Sequence, residues 1–246
     1  MTSHVATVSF QGIEAVPVDV QVQISSGFVG ITIVGLPDKA VAESRERVRA
    51  ALNASGLALP AKRVTVNLAP ADLPKEGSHF DLPIALALLG AMGVLPGDAL
   101  QRYAVLGELS LDGTVTAVAG ALPAAIAANA RGLGLICPRS CGPEAAWAGE
   151  DVDILAADSL VQIVNHFRGR QVMSRPRPGI AEDETPLPDL RDIKGQDAAK
   201  RALEVAAAGG HHLLMVGPPG AGKSMLASRL PSILPPMDAR EMLGIM

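Results

Sequence analysis

Val16, Val18, Val20, Val22 and Ile24 occupy alternate positions in AVPVDVQVQI, residues 15–24. An apolar period of two predicts a β-strand with one buried face. VGITIVG predicts a second extended run after Ser25-Ser26-Gly27, and Leu36-Pro37-Asp38 then turns the chain into a helical period. Val41, Val48 and Leu52 mark the apolar face of that helix and Gly56 its stop. RVTVNL, residues 63–68, alternates again. YAVLGEL and TVTAV flank Leu111-Asp112-Gly113-Thr114, and Asp-Gly between alternating segments predicts a hairpin. Two short strand–helix units follow, LGLIC with GPEAAWAG and VDIL with DSLVQIVNHFRG. No fixed-period sequence repeat is present.

After Arg170 the pattern dissolves. Ser174 to Asp189 holds Pro176, Pro178, Pro186 and Pro188 and the acidic run Glu182-Asp183-Glu184, which predicts an extended, solvated linker and a domain boundary within 170–190. Ala198, Ala202, Val205 and Ala206 then predict a helix ended by Gly209-Gly210, and HHLLMV predicts a short apolar strand.

Composition narrows the function classes. The 246 residues are 48% hydrophobic and only 2% aromatic, so a core of Ala, Val, Leu and Ile is expected. Lys+Arg 21 against Asp+Glu 25 argues against a strongly basic, free-standing nucleic-acid binder and leaves a local basic patch open. Cys137 and Cys141 are too few for a disulfide framework and have no second ligand pair for a structural zinc, so they are read as reduced, buried residues. The N-terminus lacks the charge and apolar run of a signal peptide. The longest apolar stretch, Leu82 to Leu95, is broken by Pro83, Gly90 and Gly93. It falls short of the roughly 20 residues that span a bilayer. A cytoplasmic protein without membrane contact is the expectation.

Residues 217–224 read GPPGAGKS and fit G-x-x-x-x-G-K-[ST] at every fixed position, between an apolar run and the helical pattern GKSMLASRL. Gly217, Gly220 and Gly222, with Pro218, Pro219 and Ala221 between them, let the backbone turn close to a phosphate. Lys223 supplies charge to the β- and γ-phosphates of ATP, and Ser224 offers its hydroxyl to Mg²⁺. His211 and His212 are neighbours on an expected strand, point to opposite faces, and are read as structural. Hydrolysis also needs a later acid at a strand end and an arginine finger. Only 22 residues follow Ser224, and Asp238 and Glu241 lie in a helical-looking stretch after Pro235-Pro236. The ATPase unit is therefore expected to be barely begun, as in an N-terminal piece of a longer protein or a truncated product.

VGLPDKAVAESRERVRAALNASG, VNLAPADLPKEGSHFDLPIALALL, LGELSLDGTV and IKGQDAAKRALEVAAAGGHHLLMVGPPGAGKSMLASRLPSILPP, in that order, resemble the ComM/YifB family of magnesium-chelatase-like AAA+ ATPases. The resemblance covers essentially the whole chain, and the family is roughly twice as long. It implies an α+β fold class with three parts. Residues 1–170 would be a Lon-protease-like domain of the ribosomal S5 domain 2-like type, 171–190 a Pro-rich acidic linker, and 191–246 the first part of a P-loop α/β AAA+ domain. It implies ATP and Mg²⁺ as cofactors, self-assembly into a hexameric ring, and DNA as the partner of the full-length protein, a branch-migration motor in natural transformation. Gly217 to Ser224 carry over as the phosphate loop, and Ile193, Lys194, Gly195 and Gln196 as the segment bordering the adenine.

The Lon likeness raises the question of proteolysis, which would need a Ser–Lys dyad. The Lon run P-K-D-G-P-S-A-G corresponds to Pro74-Lys75-Glu76-Gly77-Ser78-His79-Phe80-Asp81, with His79 at the Ser position and Ser78 one residue early. Leu122 stands at the Lys position and cannot move a proton. Lys75, Glu76, Ser78 and His79 are accordingly read as a polar loop on a retained scaffold. Arg45, Arg49 and Arg63 could form a basic face, but Glu43 and Glu46 share the helix and a solvated mixed-charge face is expected. Trp147 is read as a packing residue. Three functions compete: an ATPase of this family, a catalytically inactive remnant serving as an assembly or adaptor module, and a serine protease, which the missing dyad disfavours.

Overall fold

In a computed structural model, residues 2–179 and 187–235 are described. The chain divides into two compact units, Met1–Ala181 and Glu182–Met246. The first is a mixed α/β unit whose elements follow the apolar periods. The strands are β1 (Thr2–Gln11), β2 (Glu14–Ser25), β3 (Gly30–Val34), β4 (Arg63–Ala69), β5 (Tyr103–Val105), β6 (Glu108–Leu109), β7 (Val115–Thr116), β8 (Gly134–Pro138) and β9 (Ile154–Ala157). The helices are α1 (Lys39–Ala54), α2 (Asp81–Ala91), α3 (Gly97–Leu100), α4 (Ala121–Ala130), α5 (Gly142–Ala145) and α6 (Leu160–Phe167).

Seven strands form one sheet in the order β3-β4-β2-β1-β5-β8-β9. The β1–β2 and β2–β4 pairs are antiparallel and the other four are parallel, so the sheet is mostly parallel. A parallel sheet is covered on both faces, and β8 shows it. All five of its residues are buried. Ile136 packs with Val105, Leu155 and Ile163. Its neighbours Leu135 and Cys137 pack instead with Ala124, Ala128 and Ala145 of α4 and α5. Successive strand side chains point to opposite faces, so the two clusters lie on opposite sides of the sheet. Burial pushes the Cys137 and Cys141 thiols up, as befits reduced core residues.

The predicted YAVLGEL strand is broken at Leu106-Gly107 into β5, inside the sheet, and β6, which pairs only with β7. Leu106 N–H still donates to Ile136 O at 2.9 Å, whereas Gly107 N–H turns to His79 O at 3.1 Å. The Asp112-Gly113 turn closes the β6–β7 hairpin as its sequence requires.

α1 begins where Asp38 accepts a hydrogen bond from Val41 N–H at 2.7 Å, a side-chain N-cap. The turn before it is pinned by close packing. Gly35 has φ +106°, and a Cβ there would lie 2.2 Å from Leu68 O, so only glycine fits. The apolar stretch beginning at Leu82 becomes α2, buried along nearly its whole length at the centre of the unit.

Three expectations need correction. Residues 171–179 are mostly exposed but are not a free linker: Met173 is buried in the first core cluster, and Arg175 donates to Gly149 O at 2.6 Å and to Glu150 O. One apolar side chain and one guanidinium suffice to dock a proline-rich segment that the composition marks as linker. Glu182, Asp183, Glu184 and Pro186 lie outside the described residues. Trp147 is 45% exposed rather than packed, with its indole N–H donating to Gly179 O at 3.3 Å. Residues 211–216 form no strand, since none of the described residues pairs with them; Leu214 and Val216 are 86% and 87% exposed. An apolar run becomes a strand only beside a hydrogen-bonding neighbour.

The second unit contains α7 (Asp197–Gly209) and α8 (Lys223–Ala227). Its small core joins Leu190, Ile193, Leu203 and Leu226. No described helix is long and apolar enough to cross a membrane.

Candidate functional site

The GPPGAGKS loop lies between residues 211–216 and α8. Gly220 and Gly222 take φ +81° and +77°, left-handed conformations that bend the loop and that a side chain would strain. Lys223 folds back over it, its ammonium donating to Gly217 O at 2.8 Å and Pro218 O at 2.7 Å. Ser224 is exposed, and its hydroxyl makes no protein hydrogen bond among the described residues. Pro219 and Ala221 complete the turn, with Ala221 N–H donating to Pro218 O at 3.4 Å.

Ile193 to Gln196 sit at the start of α7. Ile193 is anchored in the core, while Lys194 is exposed. Gly195 and Gln196 both take left-handed φ, +69° and +59°. For Gln196, a residue with a Cβ, that conformation is uncommon. It turns the side chain toward the loop, where the amide donates to Ala221 O at 3.1 Å. The structure thus brings the two predicted segments together through one hydrogen bond, a contact that spacing alone did not indicate. Asp238 and Glu241 lie outside the described residues. No described group of three or more His, Cys, Asp or Glu could hold a metal; His211 and His212, expected to be structural on a strand, are exposed on a segment that forms none. One free serine hydroxyl does fit Mg²⁺, which keeps waters and takes its other oxygens from phosphates.

The 74–81 segment of the first unit is not the polar loop its composition predicts. Lys75 is fully buried, and its ammonium donates to Pro70 O. Its backbone is clamped to the turn before α1, with Lys75 N–H to Leu36 O at 3.1 Å and Asp38 N–H to Lys75 O at 2.9 Å. Burial pushes its pKa down. Ser78 donates its hydroxyl to Glu108, an acceptor that holds a proton donor but is no lysine base. His79 is buried between Phe10 and Phe80, with ring centroids at 5.3 and 4.3 Å. Its Nε2 lies 3.0 Å from Val8 O, and since a carbonyl only accepts, Nε2 carries the hydrogen. Leu122 is buried in α4. The most polar contact is one that sequence reading missed. Asp81, fully buried at the start of α2, accepts from Arg47 Nε at 2.6 Å, Arg47 Nη2 at 3.0 Å and Leu109 N–H at 3.2 Å. A lone acid opening the apolar run FDLPIALALL was the available signal.

His79 gives a pH prediction. Burial pushes its pKa below the usual 6.5, so the unfolded chain binds more protons than the folded one below that pH. Its contribution is whole above pH 6.5 and is lost as pH falls through the lowered folded value. Urea unfolding followed by circular dichroism is expected to show stability falling by up to about 1.4 kcal/mol per pH unit from this group. His79→Gln flattens that slope; an unchanged slope contradicts the assignment.

Of the expected basic face, Arg45 and Arg49 lie exposed on α1, Arg45 3.5 Å from Glu46. Glu43 approaches Lys39 and Arg47, at 3.8 and 4.0 Å. Lys62, not Arg63, joins Arg45 and Arg49 in lining a cleft, while Arg63 stands at the start of β4.

A family model described as subunit ChlI of Mg-chelatase matches residues 20–140, and one described as magnesium chelatase, subunit ChlI, matches 189–246. The chain is 45% identical to the uncharacterized protein YifB of Salmonella typhimurium over 94% of its own length and 46% of that protein. It is 44% identical to YifB of Escherichia coli over 98% and 47%. It is 43% identical to the competence protein ComM of Haemophilus influenzae over 94% and 46%. The chain spans about half the length of these curated relatives.

Proposed function

We propose, for a chain that belongs to the ComM/YifB family of magnesium-chelatase-like proteins, that its second unit binds ATP with Mg²⁺ at Gly217 to Ser224. The observation that carries this reading is the Lys223 ammonium held at the mouth of a loop bent by two left-handed glycines. The two carbonyls it caps are exposed, so a triphosphate, with full negative charge, competes for it favourably. Gly217, Gly220 and Gly222 carry no side chain to keep the phosphates from the backbone. Ser224 would hold Mg²⁺ through its free hydroxyl, and the ion supplies neutralisation of charge on the β- and γ-phosphates. Gln196 ties the segment at the adenine side, Ile193 to Gln196, to the phosphate side.

In the whole protein this site would serve an AAA+ ring that couples ATP hydrolysis to movement of branched DNA. The similarity to the competence protein ComM of Haemophilus influenzae supports that reading. The first unit would be a Lon-like scaffold that does not cleave peptide bonds. Leu122 at the base position, His79 with Nε2 committed to Val8 O, and Ser78 bonded to a carboxylate all support it.

Titrating the chain into a fluorescent ATP analogue with Mg²⁺ tests the site. Saturation is expected within the ~1 μM–1 mM range typical of enzyme substrates. Weakening by EDTA is expected too, and no saturation in that range overturns the reading.

A further inference from the structure

β3 ends the seven-stranded sheet, and among the described residues no strand pairs with its outer side. Proteins commonly blunt such edges with charge or proline, yet Gly30-Ile31-Thr32-Ile33-Val34 has neither. Phe28 beside it is 98% exposed, and Val29 is exposed as well. α1 links the parallel pair β3 and β4 and therefore returns along β3 over one face of the sheet. Between α1, the start of β3 and residues 58–62 lies a cleft of about 470 Å³. Ile31, Leu59 and Val64 give it an apolar floor. Arg45, Arg49 and Lys62 stand at its walls, and Glu46 is the single acid in the lining, paired with Arg45. Arg49 and Lys62 have no ion-pair partner among the described residues.

We propose that this cleft docks an extended acidic peptide, which adds as a strand to β3 and directs alternate carboxylates at Arg45, Arg49 and Lys62. Strand addition satisfies the open backbone groups of β3, and the cleft reads every second side chain. The repeats agree: four helical residues, Arg45 to Arg49, rise about 6 Å, and two strand residues rise about 6.6 Å. The free cations supply the complementarity that selects carboxylates. Nucleic acid matches less well, because it offers no ladder to the strand edge and the lining holds no aromatic side chain for base stacking. This site is independent of the nucleotide reading and stands or falls without it.

The test is fluorescence anisotropy of labelled Val-Glu-Val-Glu-Val-Asp titrated with the 246-residue chain. Saturable binding is expected, weakened about tenfold by the double variant Arg45→Glu, Arg49→Glu through loss of two charge pairs. The counterpart Val-Lys-Val-Lys-Val-Lys is expected to bind the variant better than the unmodified chain, which also shows that the variant is folded. N-methylation of the amides on one edge of the peptide should abolish binding, and on the other edge should not. Equal binding of the two N-methylated peptides overturns strand addition. No saturation by about 1 mM overturns the site, since that corresponds to only about 4 kcal/mol of affinity. Tighter, Arg45- and Arg49-dependent binding of an oligothymidylate of equal charge assigns the cleft to nucleic acid instead. Self-association abolished by the double variant assigns it to a second copy of the chain.

Discussion

Asp81→Ala is expected to destabilise the first unit by about 2–4 kcal/mol, because it strands the partly exposed Arg47 guanidinium and leaves the buried Leu109 N–H without its acceptor. The carboxylate joins three pieces of the unit: the α1 guanidinium, the start of α2 and the Leu109 N–H of the β6–β7 hairpin. Arg47 also donates to Ala40 O at 2.9 Å, so it stays in place without Asp81 and keeps its charge. The pairing holds the guanidinium's pKa above its ordinary value, chiefly through the Asp81 hydrogen bond. Asp81→Asn, which still accepts a hydrogen bond, should cost less. The double change Arg47→Met, Asp81→Leu should cost less than the sum of the single changes, because it strands no charge. Urea unfolding of Asp81→Ala, Asp81→Asn, Arg47→Met, Asp81→Leu and the double variant measures this. An Asp81→Ala loss under about 1 kcal/mol would place the pair among ordinary surface contacts.

Lys223→Ala is expected to weaken binding of the Mg²⁺–ATP complex by about 10–100-fold while leaving the fold unchanged. The first figure follows from losing charge-assisted hydrogen bonds worth about 1.5–3 kcal/mol. The second follows from exposure: Gly217 O and Pro218 O lie at the surface and exchange the ammonium for water. Calorimetric titration of both proteins with ATP and Mg²⁺, beside their thermal melts, separates the two effects. Equal affinities would remove Lys223 from the site, and a collapsed melting transition would make its role structural.

The basic cleft and the Arg47–Asp81 pair share one helix, and α1 shows how far a sequence can be read. Val41, Val48 and Leu52 identify its buried face, because a 3.6-residue period repeats locally. The same period puts Arg45 and Arg49 outside, as read. Arg47 gives no such sign, since its partner is 34 positions away. Lys75 misleads for the same reason. Its neighbours Glu76, Gly77 and Ser78 have the composition of a loop, yet the backbone bonds to Leu36 and Asp38 carry the side chain inward.

By itself, the sequence determined what depends on neighbours in the chain. That includes the strand and helix periods of the first unit, the Asp112-Gly113 hairpin and the GPPGAGKS loop with glycines where the backbone turns left-handed. Only the tertiary structure decided what depends on contacts between distant segments. It set the sheet order with β3 at its edge, broke YAVLGEL at Gly107, pinned 171–179 to the first unit and left the 211–216 run unpaired among the described residues. It also joined Gln196 to Ala221. Periodicity and turn chemistry act over a few residues, whereas pairing, burial and charge compensation are settled by whichever segment the fold brings alongside.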